Sequence, residues 1–167
     1  MTSSSNDSRR RGTRPTKDGV DRVARSRARK RALQAVYAWQ MSKCSGREAI
    51  AQFAHEQARE IADLAYFEEI VLGVEKNVTE LDKDLRPFLD REVEEVDPIE
   101  RAALRIAAFE MKHRLDVPYA VIINEAIESV KKFGTEHGHT FVNGVLDQAA
   151  AKLRAIEVNA SQSKHRE

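Results

Sequence analysis

Residues able to do chemistry crowd two places in the chain. The first is Arg25-Ser26-Arg27-Ala28-Arg29-Lys30-Arg31. On a helix Arg25 and Arg29 lie four apart and share a face, with Arg22 a turn earlier, while Arg27 and Arg31 form a parallel row. Guanidinium groups in such rows make a positive strip that can follow a phosphate backbone. Tyr37 and Trp39 come soon after. Bases stack on aromatic rings, so an arginine strip beside a ring suits single-stranded RNA. Trp39 falls on the apolar stripe of the same helix and reads as core. Tyr37 fits either the core or a wet edge.

The second place is Phe133-Gly134-Thr135-Glu136-His137-Gly138-His139-Thr140-Phe141, with Lys131 and Lys132 just before it. This loop ends one helix and begins another, and a helix N-terminus offers free N–H groups to an anion. His137 and His139 have no third ligand close in sequence, so phosphate contact, base contact or simple capping is expected rather than a metal. Beyond the loop, Gly144 lies inside a helical pattern at a cost of about 1 kcal/mol relative to Ala. It is read as allowing another element of the bundle to pack closely. Asn124-Glu125 suggests acid–base chemistry, but no partner constellation accompanies it, and an acid in a first helical turn is ordinary.

The elements that must position these residues are all helices. Ala28, Ala32, Ala35 and Trp39 recur at helical spacing from about Asp21 to Ser42. Ser45 and Glu48 make a capping box for a helix starting near Gly46. Ile61, Leu64, Ile70, Val71, Val74, Val78 and Leu81 mark a third helix. Leu81, Leu85, Phe88 and Leu89 mark a fourth, kinked or split by Pro87. Asp97-Pro98-Ile99-Glu100 is a strong helix start, and the helix it opens is apolar around most of its circumference, which places it at the centre. A sixth helix begins at Asp116-Val117-Pro118 and ends at Gly134; a last one runs from about His137 to Ile156. Strand-like alternation is absent. The fold expected is all-α, a compact bundle of about seven short helices.

Bulk properties narrow the classes. A chain of 167 residues suits one domain with tails. Cys44 is the only cysteine, which excludes an internal disulfide and a cysteine-based zinc site. No apolar run is long enough for a membrane span, and no signal-like stretch follows the basic N-terminus, so the expected address is cytoplasmic. The net charge of +1 hides an asymmetry: residues 1–31 hold eleven Lys or Arg against three acids. A basic arm on a mildly acidic body fits a polyanion partner, or else a solubilising tail. The organisation expected is a disordered basic extension over 1–20, a helical RNA-binding domain over 21–156 and a flexible tail over 157–167.

Read in order, several stretches resemble the NusB family of transcription antitermination factors. They are Arg27-Ala28-Arg29 with Leu33-Gln34-Ala35-Val36-Tyr37-Ala38-Trp39-Gln40, Leu104-Arg105-Ile106-Ala107 with Glu110, and Asp116-Val117-Pro118-Tyr119. The most specific are Ile123-Asn124-Glu125-Ala126-Ile127-Glu128, Lys132-Phe133-Gly134 and Phe141-Val142-Asn143-Gly144-Val145-Leu146-Asp147. The likeness covers about Arg25 to Arg154. It implies a seven-helix fold and a non-catalytic factor that pairs with NusE, a small-subunit ribosomal protein. That pair binds boxA-type single-stranded RNA within an antitermination complex on RNA polymerase, with ribosomal RNA operons as clients. The resemblance further implies that Arg25, Arg27 and Arg29 hold RNA phosphates and that Tyr37, Lys132, His137 and Phe141 line the same surface. Glu100 and Arg101, expected to be exposed, resemble the NusE-docking side. His137 stands where the family commonly has an acid or small polar residue, and Thr140 where a Lys is frequent.

Two other readings compete. A NusB-like domain also fronts certain RNA cytosine methyltransferases, but those require a cofactor domain and nucleophilic cysteines, and this chain has Cys44 alone. The other is a homodimer that buries the arginine strip. No cofactor and no metal are expected.

Overall fold

A computed structural model describes residues 21–57 and 63–165. The basic extension and the Ile61 end of the expected third helix fall outside the described residues. Seven α-helices and no strand occur among the described residues: α1 (Arg22–Ser42), α2 (Gly46–Gln57), α3 (Leu64–Leu85), α4 (Pro98–His113), α5 (Tyr119–Phe133), α6 (Gly138–Leu153) and α7 (Ala155–Lys164). The polar residues that punctuate the sequence start these helices. Asp21 Oδ1 accepts from the Val23 and Ala24 N–H groups at 3.0 Å, and Asp97 Oδ1 does the same for Ile99 at 3.0 Å and Glu100 at 3.2 Å. Ser45 Oγ accepts from Glu48 N at 3.1 Å, as a capping box requires. At the far end of α1, Lys43 takes the left-handed conformation (φ 54°) and turns the chain into α2.

The helix count matches expectation, but two helices are not the ones expected. Leu81–Leu89 forms no helix of its own. Instead α3 runs on to Leu85, and Pro87 sits in a single 3-10 turn, Arg86–Phe88, where its fixed φ is tolerated. The last expected helix breaks at Arg154, and α7 stands where a flexible tail was expected. Arg154 explains both the break and the order. Its buried guanidinium donates to the carbonyls of Met111 at 2.8 Å, Arg114 at 2.9 Å and Val117 at 3.0 Å, and to Glu157 Oε2 at 2.6 Å. Glu157 Oε1 in turn accepts from Tyr119 N at 2.9 Å. One side chain thus closes the carbonyl end of α4 and ties α7 to the start of α5.

The expected central helix is central. Every residue of α4 from Ala102 to Met111 is buried, and α4 packs against α1, α3, α5 and α6. Gly73 of α3 admits the Phe109 ring of α4: a Cβ there would lie 2.2 Å from Phe109 Cε2. This packing fixes two ends of the bundle. One gathers the first turns of α1, α3 and α5 with the end of α4. The other gathers the end of α1 with the starts of α4 and α6, through Gln40 Nε2 donating to Pro98 O at 2.9 Å and Glu100 lying against Gly138.

Candidate nucleic-acid interface

The arginines of α1 separate by face. Arg29 is 5% exposed and turned inward, where Nε and Nη2 grip the Glu110 carboxylate at 2.8 and 2.9 Å. Glu110, at 1% exposure, also accepts from the Tyr66 hydroxyl at 2.6 Å. The Tyr66 ring is surrounded by three guanidinium groups, from Arg25 at 4.6 Å, Arg114 at 4.8 Å and Arg29 at 5.3 Å. Burial works against the Arg29 charge, but the bonds and charge of Glu110 outweigh it and hold its pKa above the ordinary value. Burial, and then the Glu110 charge, push the Tyr66 phenol above its usual range, so it stays a hydrogen-bond donor. The expectation that Arg29 holds phosphate is therefore corrected. The shared face of Arg25 and Arg29 exists, but Glu110 and Tyr66 occupy it from inside, and reaching a phosphate would strand a buried carboxylate.

Arg25 stands between the two situations. It is half-buried, 3.8 Å from Asp63 Oδ2 and 3.7 Å from Asp116 Oδ2. Asp116 is held down to about 2 by its bonds with Arg114 at 3.0 and 2.9 Å. Arg114 also binds Glu69 at 2.6 Å. This end of the bundle is thus a web of opposed charges rather than an open cationic strip.

The open strip lies on the outer face of the same helix. Arg27 is exposed, and Lys30, Arg31, Gln34 and Tyr37 follow at helical spacing, each at least partly accessible. Lys30 Nζ donates to Ser26 Oγ at 2.9 Å, a bond that does not neutralise the cation, and Arg31 Nη1 donates to Gln34 Oε1 at 2.9 Å. Tyr37, 37% exposed, takes the wet-edge alternative, while Trp39 packs on the core beneath Arg105. Arg27 and Tyr37 lie ten residues apart on α1, about 15 Å along its axis.

The other candidates lie at the end of the bundle where α1 finishes and α6 begins. Lys132 is exposed in the last turn of α5, and His137, also exposed, is the residue before α6. Phe141 is half-buried with the Arg91 guanidinium 5.4 Å above its ring. Arg91 was not singled out in the sequence, because nothing local joins it to a ring fifty residues on. Lys30 lies in the basic run that was singled out, but its place beside Arg27 was not expected, since the row read beside Arg27 was Arg31. At this end Glu100 is not exposed as expected. It is 9% exposed, with Oε1 2.9 Å from where a Gly138 Cβ would stand. A carboxylate at the N-terminus of α6 complements the helix dipole, which accounts for its burial. Burial, and then the Asp97 charge, raise its pKa. Arg101 keeps partial exposure, its Nη1 donating to Glu94 O at 3.1 Å.

Gly144 is also corrected. A Cβ there would meet nothing within 4 Å, so no element of the bundle uses the space. Asn143 and Asp147 are exposed beside it. Among the described residues no group of three or more His, Cys, Asp or Glu gathers as metal ligands, and no helix is long and apolar enough to cross a membrane.

Comparison with known proteins shows the family and the fold. The model of the NusB family matches residues 26–151. The chain is 66% identical over 145 residues to the transcription antitermination protein NusB of Xanthomonas axonopodis pv. citri (strain 306), covering 87% of this chain and 91% of that protein. It is 65% identical over 141 residues to the NusB of Stenotrophomonas maltophilia (strain R551-3), covering 84% and 89%. Among solved structures, NusB of T. maritima superposes with a TM-score of 0.69 at 26% identity, over 75% of this chain and 89% of that one. A chain from a complex of the antitermination factors NusB and NusE with double-stranded RNA shares the fold, with a TM-score of 0.69 at 23% identity, over 75% and 95%.

Proposed function

This chain belongs to the NusB family, and from that premise we propose that it is a transcription antitermination factor that binds boxA-type single-stranded RNA together with NusE. The observation that carries the reading is the outer face of α1. Arg27 and Lys30, in no ion pair among the described residues, lead to the accessible ring of Tyr37, toward the end of the bundle that holds His137 and Phe141 at the start of α6 and Lys132 at the end of α5. Phosphates follow the cations and unpaired bases rest on the rings. Arg25, held by Asp63 and Asp116, edges this surface, and Arg29 supports it from within. NusE docks at the start of α4 around Arg101, with Glu100 as a buried prop under α6. It extends the RNA path and raises affinity by offering a second surface for one strand.

The protein supplies binding rather than chemistry: the buried Arg29, Glu110, Arg105 and Arg154 are committed to ion pairs that join elements of the bundle. It acts in the cytoplasm, as part of the antitermination complex on RNA polymerase. The basic extension at 1–20 adds sequence-independent RNA affinity.

The test is a titration of a boxA-like strand against a scrambled strand, with and without NusE. Preferential binding of the boxA-like strand, strengthened by NusE, is expected. Equal binding of both strands in the presence of NusE would sink the reading.

A further inference from the structure

A groove of about 550 Å³ lies beside the strip, between the first half of α1 and the first half of α5. Its volume is within the roughly 300–1,000 Å³ of small-molecule sites. Arg22 and Arg25 line it from α1, and Pro118, Val121, Asn124 and Glu125 from the α5 side. We propose that this groove receives a guanine base of the bound RNA, with the Glu125 carboxylate reading its Watson–Crick edge; the proposal rests on the RNA-binding reading above.

Three observations carry it. First, Glu125 is only half engaged. Its Oε2 accepts from Ser26 Oγ at 2.9 Å, while Oε1 accepts no hydrogen bond among the described residues. A carboxylate is an acceptor-only group, and guanine is the RNA base that presents two adjacent donors, N1–H and the 2-amino group, on that edge. Second, the walls suit a flat ring. Pro118 is exposed and Val121 is 40% exposed, so apolar surface in the groove is left uncovered by the described residues. Third, the mouth offers a cation, Arg22, beside the Arg25–Asp116 pair that also lines it. Arg22 is exposed, while the Arg25 guanidinium stands 3.8 Å from Asp63 through Nε, which is buried without a hydrogen-bond partner among the described residues, and 3.7 Å from Asp116 through Nη1. The exposed Arg22 guanidinium can donate to the phosphate of the nucleotide whose base enters the groove.

The groove also adjoins the strip, since Lys30 Nζ, Ser26 Oγ and Glu125 Oε2 form one hydrogen-bonded chain from the outer face of α1 to α5. A strand following Arg27 and Lys30 therefore passes the groove mouth. Asn124, exposed at the rim, adds an amide for a second base-edge contact.

The experiment uses the full chain and short single-stranded RNAs that it binds, each with inosine, which lacks the 2-amino group, in place of one guanine. Affinity is read by fluorescence anisotropy across a salt series. At one guanine position, inosine should weaken binding at least about fivefold. Glu125→Gln should flatten that difference. Val121→Trp, which fills the groove and leaves the Ser26–Glu125 bond in place, should flatten it as well, and the salt slope should persist in both variants. Tight RNA binding without inosine discrimination at any position, or discrimination that survives in both variants, overturns the pocket alone. Failure of the wild-type chain to bind any single strand at any salt overturns the pocket together with the functional reading. A change from dimer to monomer on Val121→Trp, seen by sedimentation with no effect on base discrimination, would make the groove an interface between copies and overturn the base pocket.

Discussion

Arg27 and Arg29 stand two residues apart on α1 and sit in opposite media. Arg27 is exposed with no carboxylate to answer it among the described residues, whereas Arg29 is sealed against Glu110 and Tyr66. Two residues on a helix is a rotation of about 200°, so an unbroken arginine-rich run is distributed automatically between interior and surface. The same run does two jobs. Its inward members lock α1 to α3 and α4 by charge, and its outward members leave charge over for a ligand. A row of arginines in sequence is therefore no measure of the charge a ligand meets; the helical face of each one decides.

The comparison breaks most visibly at the buried member. Glu110→Ala leaves the Arg29 charge buried and unpaired, and should cost about 3–5 kcal/mol in urea unfolding. Replacing both partners by apolar residues of similar volume, Arg29→Met with Glu110→Leu, should recover most of that loss. If the single and double variants are equally destabilised, the pair is not the unit holding α1 to α4. A steric contrast of the same kind comes next. Gly73→Ala forces a methyl group into the Phe109 ring and should cost at least about 1–3 kcal/mol. Gly144→Ala, in open space, should instead stabilise by up to about 1 kcal/mol. Should Gly144→Ala also weaken RNA or NusE binding, then a partner uses the space that the bundle leaves empty.

These contrasts also mark what could be read from the chain. Local chemistry was legible: Asp97 and Ser45 cap the helices they were expected to cap, and the apolar circumference of α4 put it at the centre. Helical periodicity further separated the Arg25 row from the Arg27 row. It could not say which row faced in, because that is set by Glu110, 81 residues away. Glu100 failed for the same reason: it reads as an exposed first-turn acid until Gly138, brought by α6, covers it. Order in α7 was missed because it depends on Arg154 reaching four backbone carbonyls, of Glu110, Met111, Arg114 and Val117, none near it in sequence. Gly144 erred in the opposite direction, since a helical glycine signals close approach without saying whether the visitor belongs to the same chain.

On the outer face the comparison sharpens through salt. Arg27→Ala should leave stability within about 0.5 kcal/mol. It should weaken RNA binding about fivefold near 0.1 M salt and lower the slope of log K against log salt by about 0.7. Lys30→Ala should do the same to a similar extent. If Arg27→Ala changes unfolding more than binding, the division of labour along α1 is wrong.

The smallest effect is at the charged end that borders both faces. Asp116 is held at about 2 by Arg114, with Arg25 adding to the field. A carboxylate whose folded pKa lies below its unfolded value of roughly 3.9 adds stability at pH above that value and loses it as pH falls through the folded value. The increment should therefore be complete near neutrality and vanish between about pH 4 and pH 2. With 55% of the Asp116 side chain exposed, solvent screening keeps it below about 1 kcal/mol. Measured against Asp116→Asn, the wild-type advantage should shrink to nothing across that window and should fall with added salt at pH 7. An advantage that stays level down to pH 2 would mean that Arg114 and Arg25 are not neutralised by Asp116. Arg25 would then rest on Asp63 alone, at 3.8 Å, and would have more charge to offer a ligand than its place between two carboxylates implies.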